Sequence, residues 1–306
     1  MSAARVAFLS RIQAFQRALE ADVIVSRDLS QVEFNETARI FRNGLIVVGF
    51  ATLEEFIRAR TREILATITG AHVRFDDLPA ALRRATVQDV LPALTFQTKL
   101  LEKDVEVVDL IRVTGGALAS TSNATFELSP LAFASQKSNL QKSDLKNILE
   151  AFHVPNPWGN IDLFASRVGL STPKHEAVFG NALEWRNAAA HRAAAETGAP
   201  ELSSFYQHAL GIAIGFDALL TRGGMRVAHG TTIPTQQHDI RLRFIDADKS
   251  GWWRDRAETK SKAAARSKDL EDLRRAAIGR ATPRQEIVVI RNNALQPMGW
   301  ITTPTT

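Results

Sequence analysis

The chain has 306 residues, 45% apolar and 23% charged, a balance that suits one large or two smaller globular domains. No apolar run approaches the roughly eighteen residues of a membrane span, and zero cysteines exclude a disulfide framework, a thiol nucleophile and a thiolate metal site. The net charge of +5 is uneven: from residue 221 onward there are 16 Lys+Arg against 9 Asp+Glu, while the preceding residues carry a slight acidic excess.

Val6, Leu9, Ile12, Phe15 and Leu19 recur every three to four residues and predict an amphipathic helix over Ala4–Ala21. Arg5, Arg11 and Arg17 punctuate it, so this stretch lacks the apolar core of a signal peptide, and a cytoplasmic location is expected. Capping candidates between Asp28 and Asn35 precede a second helical stretch through Arg42, and Leu45–Ile68 follows, apolar early and amphipathic later. Asp76-Asp77-Leu78-Pro79 reads as a helix entry, Leu91-Pro92 as a break or restart, and Gly115-Gly116 with Ser120–Asn123 as a loop. Helical periodicity resumes over Leu140–Phe152 and stops before Pro155-Asn156-Pro157-Trp158-Gly159.

Ile161–Val168 predicts a short helix, and Ser171-Thr172-Pro173 signals the start of another over Lys174–Ala195. Gly198-Ala199-Pro200 punctuates, Leu202–Leu220 closes the helical domain, and Arg222-Gly223-Gly224 marks a boundary, giving domains 1–222 and 223–306. Beyond it, Ile240–Ile245 alternates as a half-buried strand would, and Glu286–Ile290 is β-branched. Ala257–Ile278 between them reads as an exposed, charge-paired helix, Met298–Ile301 as a short strand, and the Thr-Pro tail as frayed. The fold class expected is mainly α, a helical bundle with a small basic α+β C-terminal extension.

The densest chemistry lies in Leu183-Glu184-Trp185-Arg186-Asn187-Ala188-Ala189-Ala190-His191-Arg192. Alanine is the best helix former and leaves the neighbouring surface open. At about 100° per residue Asn187 and His191 share a face, whereas Arg186 and His191 stand about 140° apart and meet through arginine's reach or a local distortion. A planar, always charged guanidinium holds phosphate, and an imidazole moves a proton near neutral pH.

Arg-Asn-x3-His on a late helix resembles the active motif of the HEPN superfamily, especially its RiboL-PSP-HEPN and MAE-type branches. Thr52-Leu53-Glu54-Glu55-Phe56 on the long early helix, the run from Ser138-Asn139-Leu140 through Phe152, and the apolar helix at about 202–220 resemble it too. The resemblance implies a HEPN-like helical bundle and a metal-independent endoribonuclease, in many relatives a toxin or antiviral defence effector. It implies Arg186 and His191 as the catalytic pair. Asn187 orients the histidine or holds phosphate, Arg192 is an accessory phosphate ligand, and Glu54 or Glu55 tunes His191. It further implies cleavage through the ribose 2′-OH without metal or cofactor. Partners would be an RNA substrate, a second copy in a homodimer, and a cognate antitoxin or defence-system protein, with no membrane. The alternative is a catalytically silent HEPN scaffold that binds RNA, a nucleotide or a protein.

Other chemistries leave no comparable trace. His175-Glu176 lacks the second histidine of a metalloprotease helix, no phosphate-binding Gly-rich loop precedes a Lys-Ser/Thr pair, and no Gly-x-Ser-x-Gly elbow occurs. Asp246–Gly251 begins like a calcium loop, but Ala257 stands where the closing glutamate is needed. Trp252-Trp253-Arg254 either stacks on bases of RNA or packs the extension onto the main domain, and the basic surplus either contacts phosphates or serves solubility.

Overall fold

A computed structural model describes residues 2–71, 73–133, 139–170 and 174–303. The expected helix start at Ser171-Thr172-Pro173, Ser138 of the run before the sixth helix, and the end of the Thr-Pro tail lie outside these residues. Nine helices precede a small sheet among the described residues, so the chain is mainly α. It forms two compact units, one of Met1–Leu53, Trp158–Ala218 and Gln237–Thr306, the other of Glu54–Pro157 and Leu219–Gln236.

In the first unit, α1 (Ala3–Leu19) starts where Ser2 accepts the Arg5 backbone N–H, and it buries Phe8, Ile12 and Phe15. The long α2 (Val32–Thr69) begins here, after a loop that Asn35 closes by accepting from the Arg27 N–H and donating to the Arg27 and Asp28 carbonyls. The sequence predicts two helical stretches with a gap at 43–44; the backbone is continuous instead. One interior glycine at position 44 costs about 1 kcal/mol, less than the burial of Ala38, Ile46, Phe50 and Leu53 around it returns. Gly49 has a packing reason, because a Cβ there would lie 2.7 Å from the Phe15 ring and 2.8 Å from Phe205. Phe50 and Phe205 extend this aromatic core to Phe179.

α7 (Pro157–Val168) starts four residues before the expected Ile161, since Pro157 at the first position has the φ a helix needs and no N–H to satisfy. α8 (His175–His191) carries the Arg-Asn-x3-His motif, and α9 (Ala199–Ala228) follows. After α9 comes a five-stranded sheet ordered β3-β2-β1-β4-β5, with β1 Arg241–Ala247, β2 Trp253–Ala257, β3 Ala265–Ser267, β4 Glu286–Arg291 and β5 Pro297–Thr302. β1 and β4 are parallel, joined through α10 (Leu270–Ala281), and the other pairings are antiparallel. The helix expected over Ala257–Ile278 is therefore only its second half. The first half supplies strand, and Asp269 starts α10 by accepting the Glu271 and Asp272 N–H groups.

Charge is built into this unit's interior. Asp217 of α9, fully buried, accepts from the Arg5 guanidinium of α1 at 2.8 Å and from Trp300 Nε1 of β5 at 2.6 Å. Helices and sheet thus share one polar centre.

The second unit holds the rest of α2, then α3 (Ala80–Val87), α4 (Val90–Thr98), α5 (Asp104–Ser120) and α6 (Lys142–Ala151). Pro79 caps α3 and Pro92 sits in the first turn of α4, as the entry and restart signals predict. Gly115-Gly116 does not make a loop: both lie inside α5, where buried Thr114 and Ala117 hold the turn in helical conformation. Gly223-Gly224 does not interrupt the helix either, because α9 runs through it. Added Cβ atoms would lie 2.6 Å from the Phe152 carbonyl oxygen and 2.4 Å from Ile64, so these glycines permit close approach of neighbouring chain.

Candidate functional site

The motif helix is fixed at both ends by side chains from elsewhere in its unit. At its start, Asp162 of α7 accepts the backbone N–H of His175 at 2.9 Å and lies 2.7 Å from the ring Nδ1. His175 is fully buried, and its Nε2 faces Gly211, where a Cβ would sit 2.5 Å away. His208 of α9 meets it edge to face at 5.8 Å. Burial holds the His175 pKa below the usual imidazole value against the opposing pull of Asp162. His208 is lowered too, by burial first and then by His175. Both rings are structural: the sequence presents His175 only as a metalloprotease candidate, and no spacing connects it to Asp162 or His208.

At the other end, the sequence predicts helix through Ala195, but α8 stops at His191 and Arg192 turns extended (φ −124°, ψ 114°). Alanine propensity loses here to side chains on α2. Arg39 donates to the Ala193 carbonyl at 2.9 Å, Asn43 to Ala195 at 2.7 Å, and buried Arg42 to Thr197 at 2.7 Å. Those carbonyls are held away from helical geometry. Arg39, Arg42 and Asn43, one face of α2, are positioning residues that no sequence signal singles out.

Between these anchors the motif side chains are accessible. Arg186 and Asn187 are half-buried, and Arg186 Nη1 donates to Asn187 Oδ1 at 3.2 Å. Arg186 Nε is buried without a hydrogen-bond partner among the described residues. His191 ends the helix exposed to solvent, and exposed Arg192 follows it. The structure therefore joins Arg186 to Asn187 and leaves His191 as a separate, exposed imidazole.

Glu54 and Glu55 belong to the second unit. Glu54 is buried, accepts the Leu140 backbone N–H and lies 3.9 Å from Arg58, fixing the entry to α6. Glu55 is exposed.

The tryptophan pair divides. Trp253 packs beside the Ile245–Leu273–Val288 core of the sheet, whereas half-exposed Trp252 lies under the Arg266 guanidinium at 4.6 Å and Lys268 at 5.3 Å. Arg254 pairs with Asp248. Much of the C-terminal basic charge is likewise consumed: Arg243 bridges Asp255 and Glu286, Arg280 reaches Asp255, and Arg256 and Arg291 share Asp246. Lys249, Lys260, Lys262, Lys268 and Arg284 remain exposed outside such pairs among the described residues. Asp248 accepts from Ser250, the Trp252 N–H and Arg254, which holds its carboxyl well below the usual range. Among the described residues no group of three or more His, Cys, Asp or Glu side chains is arranged to hold a metal ion, and no helix is long and apolar enough to cross a membrane.

The RiboL-PSP-HEPN family profile matches residues 15–222, from within α1 to within α9. The chain belongs to the RiboL-PSP-HEPN family. No curated protein and no solved structure matches it. As a HEPN protein it carries Arg186-Asn187-x3-His191 on α8 inside the matched span, while the sheet beyond residue 222 is outside it. HEPN domains comprise nucleases and nucleotide binders, which sets the coarse functional class.

Proposed function

We propose that this HEPN protein is a metal-independent endoribonuclease. The observation that carries the reading is an intact Arg-Asn-x3-His at the end of α8, with Arg186 and Asn187 half-buried and His191 exposed. In this reading Arg186 donates two parallel hydrogen bonds to the oxygens of the scissile phosphate, and Asn187 fixes its orientation. The ribose 2′-OH attacks the adjacent phosphorus and yields its proton to His191 as general base. The P–O5′ bond breaks, the leaving oxygen takes a proton, and the products are a 2′,3′-cyclic phosphate and a 5′-hydroxyl.

The motif provides one exposed imidazole, His191, whereas the reaction moves two protons. A homodimer with two motif helices across a two-fold axis would supply the second. Exposed Ile40, Phe41 and Val48 support an interface here, since they lie on α2, the helix that holds the chain just after His191. Exposed Arg192 is the accessory phosphate ligand. Neither Glu54, already engaged by Leu140, nor Glu55 is needed for the step. A toxin or antiviral effector working in the cytoplasm, restrained by a cognate partner, is the setting that fits such an activity.

The test is product chemistry. Labelled RNA incubated with the protein in EDTA should yield fragments ending in 2′,3′-cyclic phosphate. A strand carrying a single 2′-deoxy nucleotide at the mapped cleavage position should resist there. Cleavage at the deoxy position would overturn attack by the 2′-OH. Binding of RNA with no cleavage at all would favour the silent scaffold.

A further inference from the structure

α5 is built unlike any core helix of this protein. Its first two and a half turns bury nothing, and its buried residues are Thr114 and Ala117 near the far end. Along the open part run Val105, Val108 and Ile111, which are 70%, 42% and 47% exposed. β-branched residues are poorer helix formers than the lysine, glutamate or alanine that would normally occupy a solvated face. These side chains therefore serve neither the unit's core nor the helix itself.

Their order along the chain is symmetric about Val108. Val105 and Ile111 stand three residues to either side, and acidic Asp104 and basic Arg112 stand four to either side. Spacings of three and four keep all five within one broad face. If a second α5 lies antiparallel with Val108 opposite Val108, Val105 meets Ile111 twice, and Asp104 meets Arg112 twice. A parallel or shifted register opposes like charges or separates the apolar residues. Arg112 is spare enough for this role, because its own-chain partner Asp109 is 3.6 Å away in an exposed pair, which is worth little. Further along, Gly115 and Gly116 have open space where a Cβ would be and leave a flat surface for the partner's chain.

We propose that α5 is a self-association surface, and that it pairs antiparallel with α5 of a second copy of this chain about a two-fold axis through Val108. Hydrophobic contact supplies the attraction, and the duplicated Asp104–Arg112 pairs set direction and register. This contact is separate from the motif-helix pairing and does not depend on the ribonuclease reading.

With zero cysteines in the chain, register is directly testable. Val108→Cys in the full chain, oxidised with diamide, should give a disulfide-linked dimer. Val105→Cys alone should not, because its two copies would be about 9 Å apart along the axis, beyond disulfide reach. Leu163→Cys, a more exposed apolar site on α7, measures random collision. Asp104→Arg or Arg112→Asp should each reduce cross-linking of Val108→Cys severalfold, and the double reversal should restore it. Cross-linking at 108 no greater than at 163, or single reversals without effect, would overturn the proposal. Either failure would leave RNA cleavage by the same preparations unaffected, so the two readings are tested apart.

Discussion

The sheet and the end of α8 treat charge in opposite ways. In the sheet, Arg243 is buried between Asp255 and Glu286, and Asp246 is shared by Arg256 and Arg291. At the end of α8, Arg186 donates to its neighbouring amide and to no carboxylate among the described residues, and His191 and Arg192 face solvent. A buried charge whose partner is already present has no capacity left for a ligand. Charges held at an accessible edge without carboxylate partners retain it. The net positive excess lies in the C-terminal part, yet the proposed chemistry falls on the helix whose cations are left open.

The comparison breaks most visibly on stability. Arg243→Met should destabilise the protein by about 3–5 kcal/mol, because it leaves Asp255 and Glu286 buried without their bridge, while cleavage per folded molecule stays unchanged. Urea unfolding beside an activity assay checks both; a stable variant would mean the bridge is dispensable. Arg186→Lys should do the reverse. A point charge cannot reproduce the guanidinium fork, so cleavage should fall about 10²–10³-fold with the unfolding midpoint unmoved.

Acid should sharpen the contrast through the histidines at the start of α8. His175 and His208 have lower pKa values folded than unfolded, so the unfolded chain binds more protons. Their contribution is complete above the unfolded value of about 6.5 and diminishes as pH falls below it toward the folded values. The unfolding midpoint should drop between about pH 7.5 and pH 5, and His208→Phe should flatten that drop. A variant with the wild-type slope would remove His208 from the account. The smallest effect concerns the exposed lysines. Lys249→Glu with Lys268→Glu should weaken RNA binding and lower the salt slope by about one for each phosphate that is no longer neutralised. Arg254→Glu, already paired with Asp248, should change it less.

The helix α1 and the strand at Arg241–Ala247 were legible in the sequence as elements, but their buried faces were not: Val6 of the α1 stripe is exposed while Arg5 and Phe8 are buried, and the strand is buried on both faces where its alternation predicts one. Glycine misled twice, at 44 and at 115–116, and a helix also runs unbroken through 223–224. Local propensity disfavours glycine in a helix, but none of these sites needs a positive φ, and the last pair exists for contact with Phe152 and Ile64. The end of α8 was not readable from its alanines, because carbonyl capture by Arg39, Arg42 and Asn43 depends on residues about 150 positions away. The motif itself was legible as a string. Its environment was not: the Arg186–Asn187 bond, the exposure of His191 and the engagement of Glu54 by Leu140 are tertiary facts.

The decisive measurement is cleavage of total RNA and tRNA in EDTA by the wild-type protein beside His191→Ala. Removal of a general acid–base group should lower the rate by about 10²–10⁴-fold with helical circular dichroism intact, since alanine already fills the three preceding positions. Equal cleavage by both proteins would contradict a catalytic role for the exposed end of α8.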